Sequence, residues 1–286
     1  MHPDVTGFFD PATSSVSYVV GDPASGNVAI IDPVLDYDPR AGRVSTHSAD
    51  RLADFVRERG LAVKWVLDTH VHADHMSALS YLRDELGAPG GIGAHVTDVQ
   101  ETFRGFYSVE PEFPADGSQF DRLFADGDTF SLGKTEGRVL HIPGHTPACV
   151  AYLIGDALFT GDALLMPDFG TARCDFPGGD ARQLHRSIRR LLELPPATRV
   201  FVGHDYGPGG RDVAWETTIA AQKAGNVHIR DGVSEEVFVE LRAARDATLE
   251  LPALMLAAVQ VNIRAGRMPP PEANGVSYLK IPVTRG

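Results

Sequence analysis

Cysteine and long apolar runs are scarce in this chain of 286 residues. Its two cysteines, Cys149 and Cys174, are too few for a disulfide framework, so we expect reduced thiols. No apolar run approaches the roughly 20 residues that a membrane-spanning helix needs. The first residues contain no basic segment followed by an apolar one, so we expect no signal peptide. Together these absences predict a cytoplasmic protein.

Positive charge is also scarce. The chain has 26 Lys and Arg against 38 Asp and Glu, which gives a formal net charge of -12. This balance argues against nucleic acid and anionic membrane surfaces as partners. A small anionic substrate stays compatible with it, because a metal ion and a few arginines can reverse the field inside one pocket.

The order of predicted elements indicates an α/β/β/α core followed by a helical extension. We predict a first domain over residues 1–210 and an extension over residues 211–286 that packs on the same body. Predicted helices, four in the first domain and three in the extension, cover Ser48–Arg59 (with Ser48 as N-cap), Ala73–Leu86, Thr97–Arg104, Asp180–Leu192, Val213–Ala224, Ser234–Thr248 and Ala253–Ala265.

The most informative motif is His70-Val71-His72-Ala73-Asp74-His75, in which three imidazoles and one carboxylate fall within six residues. Imidazole with carboxylate suits Zn or Fe better than Ca or Mg, which prefer oxygen ligands. The preceding run, Val63–Leu67, reads as a buried strand. The motif therefore lies on the loop that leaves the C-terminal end of a strand, where open sheets place ligands.

Three further segments repeat this pattern, since each is a strand followed by glycine and then a potential ligand. They offer His145, Asp162 and His204. Four such strand ends in one chain predict a single metal centre. A catalytic pair of Asp74 and His75 without metal is the alternative, but it leaves the other imidazoles without a task.

These residues, in this order, resemble the metallo-β-lactamase fold superfamily over about residues 14–206. The resemblance implies an α+β fold, an αββα sandwich with metal at one edge. Shorter matches, at Pro143–Cys149, Arg173–Phe176 and Asn262–Gly266, look like the persulfide dioxygenase branch, a relative of glyoxalase II. The fold alone does not define the reaction, because many chemistries share it.

The resemblance to that branch implies one Fe(II) per chain, held by His70, His145 and Asp162, and oxidation of glutathione persulfide by O2 to sulfite and glutathione. Four residues would then surround the iron without binding it, or form a second metal site: His72, Asp74, His75 and His204.

The alternative is a glyoxalase II-like hydrolase of glutathione thioesters with two Zn(II) ions. The fold's two-metal members imply a different division of the same ligands: His70, His72 and His145 for one metal, Asp74, His75 and His204 for the other, and Asp162 as the bridge. The ligand set allows both readings. A metal-dependent sensor without turnover is a third hypothesis, disfavoured because structural zinc sites are closed and usually rich in cysteine.

Glutathione carries two carboxylates, so a cationic pocket is expected. The predicted substrate-binding residues, two beside the metal loops and three in the extension, are Arg173, Tyr206, Lys223, Asn226 and Arg264. Asp74 and Tyr206 are the predicted catalytic residues. The expected partners are a thiol or persulfide of the glutathione type and O2, and we expect a homodimer.

Two segments depart from the pattern of the branch. Residues 106–126 form a longer excursion, interpreted as an irregular surface segment next to the site. The tail, residues 267–286, contains a strand-like run at Tyr278–Ile281 and is expected to dock near the site, on its own body or on a neighbouring subunit.

Overall fold

Two six-stranded β-sheets pack face to face in the computed structural model, which describes residues 2–283. The first sheet has the order β1–β2–β3–β6–β8–β9, and the small sheet beside it has the order β5–β4–β7. Their strands are β1 (Asp4–Asp10), β2 (Ser15–Gly21), β3 (Asn27–Ile31), β4 (Val34–Asp38), β5 (Arg43–Ser45), β6 (Ala62–Leu67), β7 (Met76–Ser77), β8 (Gly90–Gly93) and β9 (Arg122–Phe124). Strands β3, β6, β8 and β9 run parallel.

The second sheet follows the chain order from β10 to β15. Its strands are β10 (Thr129–Leu132), β11 (Thr135–His141), β12 (Val150–Ile154), β13 (Ala157–Phe159), β14 (Arg199–Phe201) and β15 (Glu216–Thr218). All neighbours are antiparallel except β13 and β14. The helices are α1 (His47–Glu58), α2 (Leu79–Leu86), α3 (Val96–Phe106), α4 (Ala181–Leu191), α5 (Ile219–Gly225), α6 (Glu235–Asp246) and α7 (Met255–Asn262).

Alternation along the strands explains the layers. In β2, Val16, Tyr18 and Val20 enter the core between the two sheets, while Val19 faces the opposite way. Strand β12 does the same, since Val150, Tyr152 and Ile154 face the first sheet and Ala151 faces the outer helices. Successive side chains of a strand point to opposite faces, so a strand buried on both faces reads as a continuous apolar run.

Helices cover both outer faces. The core outside the first sheet takes buried residues from α1, α2, α3 and α7, and the core outside the second sheet takes them from α4, α5 and α6. This arrangement confirms the predicted αββα sandwich of the α+β class. Among residues 2–283, no helix is both long enough and apolar enough to cross a membrane.

Three predicted helices differ from the structure. The predicted helix Ala73–Leu86 begins only at Leu79, because the residues before it form the metal loop and then the short strand β7. Ser48 lies inside α1, where its backbone N–H and hydroxyl donate to Asp36 at 2.9 and 2.7 Å, and Thr46 is the N-cap. The first part of the predicted helix Val213–Ala224 instead forms β15, which pairs with β14 in the second sheet.

The two segments that depart from the pattern lie against each other. Residues 107–121 contain no helix or strand, yet Phe113 and Phe120 are buried in the core outside the first sheet. The predicted strand in the tail is absent, and residues 267–283 form no regular structure. The tail is tied to α7 where the Gln260 amide and the Lys280 backbone exchange hydrogen bonds of 2.8 and 2.9 Å. The last three residues of the predicted tail, Thr284, Arg285 and Gly286, lie outside the described residues.

Candidate metal centre

The histidine motif forms a buried loop between β6 and β7. His70, His72 and His75 are each at most 2% exposed, and their rings lie side by side with centroids 4.2 Å apart for each neighbouring pair. The second sheet supplies the other three predicted ligands from loops that follow β11, β13 and β14. Both sheets therefore present ligands at the same edge of the sandwich, as the sequence predicts.

Asp162 lies at the centre of this group. Its Oδ2 atom lies 3.8 Å from His70 Nε2 and 3.6 Å from His145 Nε2. Its other oxygen lies 3.3 Å from His204 Nε2, which in turn lies 3.2 Å from Asp74 Oδ2. Potential ligand atoms thus gather in two groups that share Asp162, one with His70 and His145 and one with Asp74 and His204.

Each imidazole uses one ring nitrogen for a hydrogen bond to the protein. His145 Nδ1 donates to the Arg173 carbonyl at 2.8 Å, His75 Nδ1 to the Met76 carbonyl at 3.0 Å, and His204 Nδ1 to the Ser14 carbonyl at 3.2 Å. The carbonyl acceptors place the proton on Nδ1 and leave the Nε2 lone pair free. Ligating histidines are held in this way in metalloproteins.

Asp32 sets the other two rings. His72 Nε2 donates to Asp32 at 3.0 Å, so Nδ1 is the nitrogen that can bind a metal once the ring loses its second proton. The Thr69 hydroxyl donates to Asp32 at 2.9 Å and lies 3.0 Å from His70 Nδ1, so it accepts from that nitrogen. Three of the atoms left over, His70 Nε2, His72 Nδ1 and Asp162 Oδ1, are buried and have no hydrogen-bond partner. Buried polar atoms without partners are rare, and a metal ion would satisfy these.

The electrostatics of the cluster follow from burial and from the carboxylates. Burial lowers the pKa of His70, and the neighbouring His72 lowers it further. Burial also lowers the pKa of His72, but the Asp32 carboxylate outweighs it and raises that pKa to about 10. Burial opposes ionisation of Asp74, but His204 and His75 outweigh it and hold its pKa well below the usual range. A carboxylate that stays ionised suits a cation site.

Two glycines allow the loops that carry the predicted ligands to approach one another closely. Gly161 has φ +50°, and a Cβ there would lie 2.5 Å from the Thr69 hydroxyl oxygen. A Cβ at Gly203 would lie 2.7 Å from Asp162 Oδ1. Any side chain at either position would displace the carboxylate or the residue that orients His70, which explains glycine before these ligands.

A cavity of about 440 Å³ opens onto the cluster. This volume lies in the range of small-molecule sites. Its walls include the metal-side residues Asp74, His145, Asp162 and His204, and apolar side chains from the extension such as Leu249 and Leu254. The Tyr206 ring also lines it, stacked on His204 with centroids 5.7 Å apart.

Three arginines line the same cavity, and two of them are already paired. Arg173, the predicted substrate residue, donates two hydrogen bonds of 2.6 Å to Asp175 and one to the Glu250 carbonyl. Arg242 is 1% exposed and is paired with Asp246. Arg245 has no ion pair within the described part of the chain and lies 5.9 Å from the Phe169 ring centroid. Arg242 and Arg245 are not among the residues predicted from the sequence, because one helical arginine looks like another without the fold.

The structure does not bring the other three predicted substrate residues to this cavity. Lys223 is absent from its walls. Asn226 is fully buried beyond α5, where its amide donates to Gly170 and accepts from the backbone N–H groups of residues 228 and 229. Arg264 donates to Glu110 at 2.7 and 2.8 Å and faces a separate groove beside the tail. No residue of 106–126 lines the metal cavity.

Comparison with known proteins agrees with the geometry. A family model described as the Metallo-beta-lactamase superfamily matches residues 10–204. A probable metallo-hydrolase of Burkholderia pseudomallei is 56% identical over 98% of both chains. A beta-lactamase hydrolase-like protein of Agrobacterium fabrum is 55% identical over 98% of this chain, which spans 65% of that relative's length.

Two relatives carry more specific names. Glyoxylase B2 of Dictyostelium discoideum is 48% identical over 93% of this chain and 91% of its own. The human mitochondrial persulfide dioxygenase ETHE1 is 29% identical over 92% and 88%. Among solved structures, ETHE1 from Myxococcus xanthus superimposes with a TM-score of 0.73 at 33% identity, covering 92% of this chain and 100% of the other. The fold is therefore shared with the ETHE1 structure, and the sequence is similar to both kinds of relative.

Proposed function

The chain belongs to the metallo-beta-lactamase superfamily, in the branch of persulfide dioxygenases and glyoxalase II-like enzymes, and we propose that it is an Fe(II)-dependent persulfide dioxygenase. Glutathione persulfide, O2 and one water would give glutathione and sulfite. The outer sulfur would receive both atoms of O2, and its bond to the inner sulfur would break. Iron, when bound, supplies the redox chemistry that joins O2 to sulfur.

One observation carries the proposal most directly. His70, His145 and Asp162 form one group of potential ligands at the cavity, in a chain of which 92% superimposes on the whole of an ETHE1 structure. Two imidazoles and one carboxylate are the donor set of non-haem iron oxygenases, and this set leaves coordination positions open for substrate and O2.

The chain's own residues would position the substrate and exclude water. The apolar walls from the extension enclose the substrate, and Arg245, which has no ion pair among residues 2–283, is available for one of its carboxylates. The proton needed by the departing thiolate can be held between His204 Nε2 and Asp74 Oδ2, which lie 3.2 Å apart. Tyr206, stacked on His204, would keep that ring in place and direct its phenol to the substrate.

A second candidate is a glyoxalase II-like hydrolase of glutathione thioesters with two Zn(II) ions. The observation that favours it is the sharing of Asp162 between two groups of potential ligands, which is the arrangement a bridging carboxylate needs. The names of the Burkholderia and Dictyostelium relatives point the same way. In this interpretation, His72, Asp74, His75 and His204 bind metal instead of surrounding the iron without binding it.

Metal analysis together with an oxygen electrode separates the two candidates. One Fe per chain and O2 uptake with glutathione persulfide support the dioxygenase. Two metals per chain, no O2 uptake and hydrolysis of lactoylglutathione would replace it by the hydrolase. The expected homodimer and cytoplasmic location stay predictions, and light scattering of the purified protein tests the first.

A further inference from the structure

Helix α7 sends one buried amide into the metal loop. Asn262, which is 2% exposed, donates to the carbonyls of His72 and His75, each at 2.8 Å. Its side-chain oxygen accepts from the Ser77 backbone N–H at 2.7 Å. One side chain therefore satisfies three backbone groups of the loop, and two of them belong to residues of the histidine motif.

The residues after Asn262 dock on the same part of the chain. The Ala265 carbonyl accepts from the Ser80 N–H at 3.1 Å and from its hydroxyl at 2.6 Å. Gly266 has φ +83°, and a Cβ there would lie 2.2 Å from the Ser77 carbonyl oxygen. This close approach brings the end of α7 into direct contact with the chain that follows the motif.

We infer that Asn262 is a positioning residue for the metal centre. Residues 69–75 belong to no helix or strand, so the His72 and His75 carbonyls need donors from outside the loop. By holding the peptide groups of His72 and His75, Asn262 fixes the direction of both side chains. Their rings can then present His72 Nδ1 and His75 Nε2 to the centre.

The inference goes beyond the proposed function, because it holds for iron and for zinc and for either reaction. It also assigns a task to a part of the chain outside the family match, which ends at residue 204. The extension is then a component of the metal centre as well as a wall of the cavity.

The test measures metal affinity instead of activity. The full chain is stripped of metal, and Zn(II), a redox-stable probe, is titrated against a chromophoric chelator. Asn262→Asp keeps the shape and the acceptor for Ser77 but turns the two donors into an oxygen that repels both carbonyls. Asn262→Ala removes all three contacts. We expect either variant to weaken Zn(II) binding about 10–100-fold, the range seen when residues that orient ligands are changed.

A matched control lies on the same helix. Gln260 is a buried amide that binds the tail at Lys280 and not the loop, so Gln260→Ala should lower the thermal midpoint without changing Zn(II) affinity. Equal Zn(II) affinity in the wild type and Asn262→Asp would overturn the inference, as would equal loss of stability with and without Zn(II). If Asn262→Ala does not fold, Asn262→Asp and Asn262→Ser give the same comparison. Because no turnover is measured, failure here is distinct from failure of the dioxygenase proposal.

Discussion

Replacing Asp32, which is not a predicted metal ligand, should weaken metal binding. Its buried carboxylate accepts from the Thr69 N–H at 2.7 Å, the Thr69 hydroxyl at 2.9 Å and His72 Nε2 at 3.0 Å. In Asp32→Asn one of these oxygens becomes an NH2 group. If that group faces His72 Nε2, the ring must accept there and carry its proton on Nδ1, the atom that would bind metal.

The magnitudes follow from these three contacts. Asp32→Asn leaves one donor facing another donor, which costs about 1–3 kcal/mol of folding free energy. Asp32→Ala leaves three buried donors without an acceptor, so about 3–9 kcal/mol is lost, a large fraction of the stability of a typical domain. The residue has φ +49°, a conformation that asparagine tolerates and alanine does not favour, so asparagine is the fairer replacement. For Asp32→Asn we expect Zn(II) affinity to fall about 10–100-fold.

Two measurements check this expectation. Urea unfolding of the metal-free proteins gives the free energy of unfolding, and chelator competition gives the Zn(II) dissociation constant. The control is Asp36→Asn, an exchange of the same kind at a carboxylate that binds Ser48 at the start of α1. It should lower stability and leave metal affinity unchanged. A Zn(II) affinity for Asp32→Asn within about twofold of the wild type would refute the role of Asp32 in setting the histidine protons.

Three further expectations concern separate residues. His145→Ala should lose the bound metal and with it either activity, and a variant that keeps its metal by elemental analysis would contradict the ligand assignment. Arg245→Met should raise KM for glutathione persulfide about tenfold with little change in kcat, while Arg245→Lys retains part of the affinity; equal KM values for wild type and Arg245→Met would exclude a carboxylate contact. Burial, and next the charge of Arg242, lowers the pKa of His228 from 6.5 to about 4. Below about pH 6.5 the unfolded chain therefore takes up a proton that folded His228 does not, so stability falls as the pH drops towards 4. His228→Gln should flatten this dependence in urea unfolding, and an unchanged slope would count against it.

The ligand positions could be read from the sequence because each depends on local information. A strand, a glycine and a polar side chain recur before His145, Asp162 and His204, and parallel or neighbouring strands that end together bring such residues to one edge. The sandwich followed from apolar runs of strand length, since strands buried on both faces lose the alternation of a half-exposed sheet. The predictions agree with the structure where local structure is determined by residues close together in the sequence.

The errors have long-range causes. The residues from Ala73 onward have helical periodicity, but the His72 and His75 carbonyls accept from Asn262, which is 190 positions from His72 in sequence. The Ser77 N–H donates to the same side chain, so the helix begins only at Leu79. Arg264 matched a family pattern, yet its guanidinium is neutralised by Glu110 from the irregular segment. Whether a charged side chain is free to bind substrate can be judged only when the residues that pair with it are known. For the same reason the sequence could not single out Arg245 among 26 basic residues.

The division of labour between the two parts of the chain has a functional consequence. The predicted ligands all lie within residues 70–204, inside the segment that the family model matches. One part of the cavity wall comes from beyond it, from α6 and the connection to α7, which together supply Arg245, Leu249 and Leu254. Ligands fix what a metal can do, and walls fix which molecule reaches it. Relatives that share the ligand set can therefore differ in substrate through the extension alone, and exchanging α6 with its connection should change KM between substrates before it changes the metal.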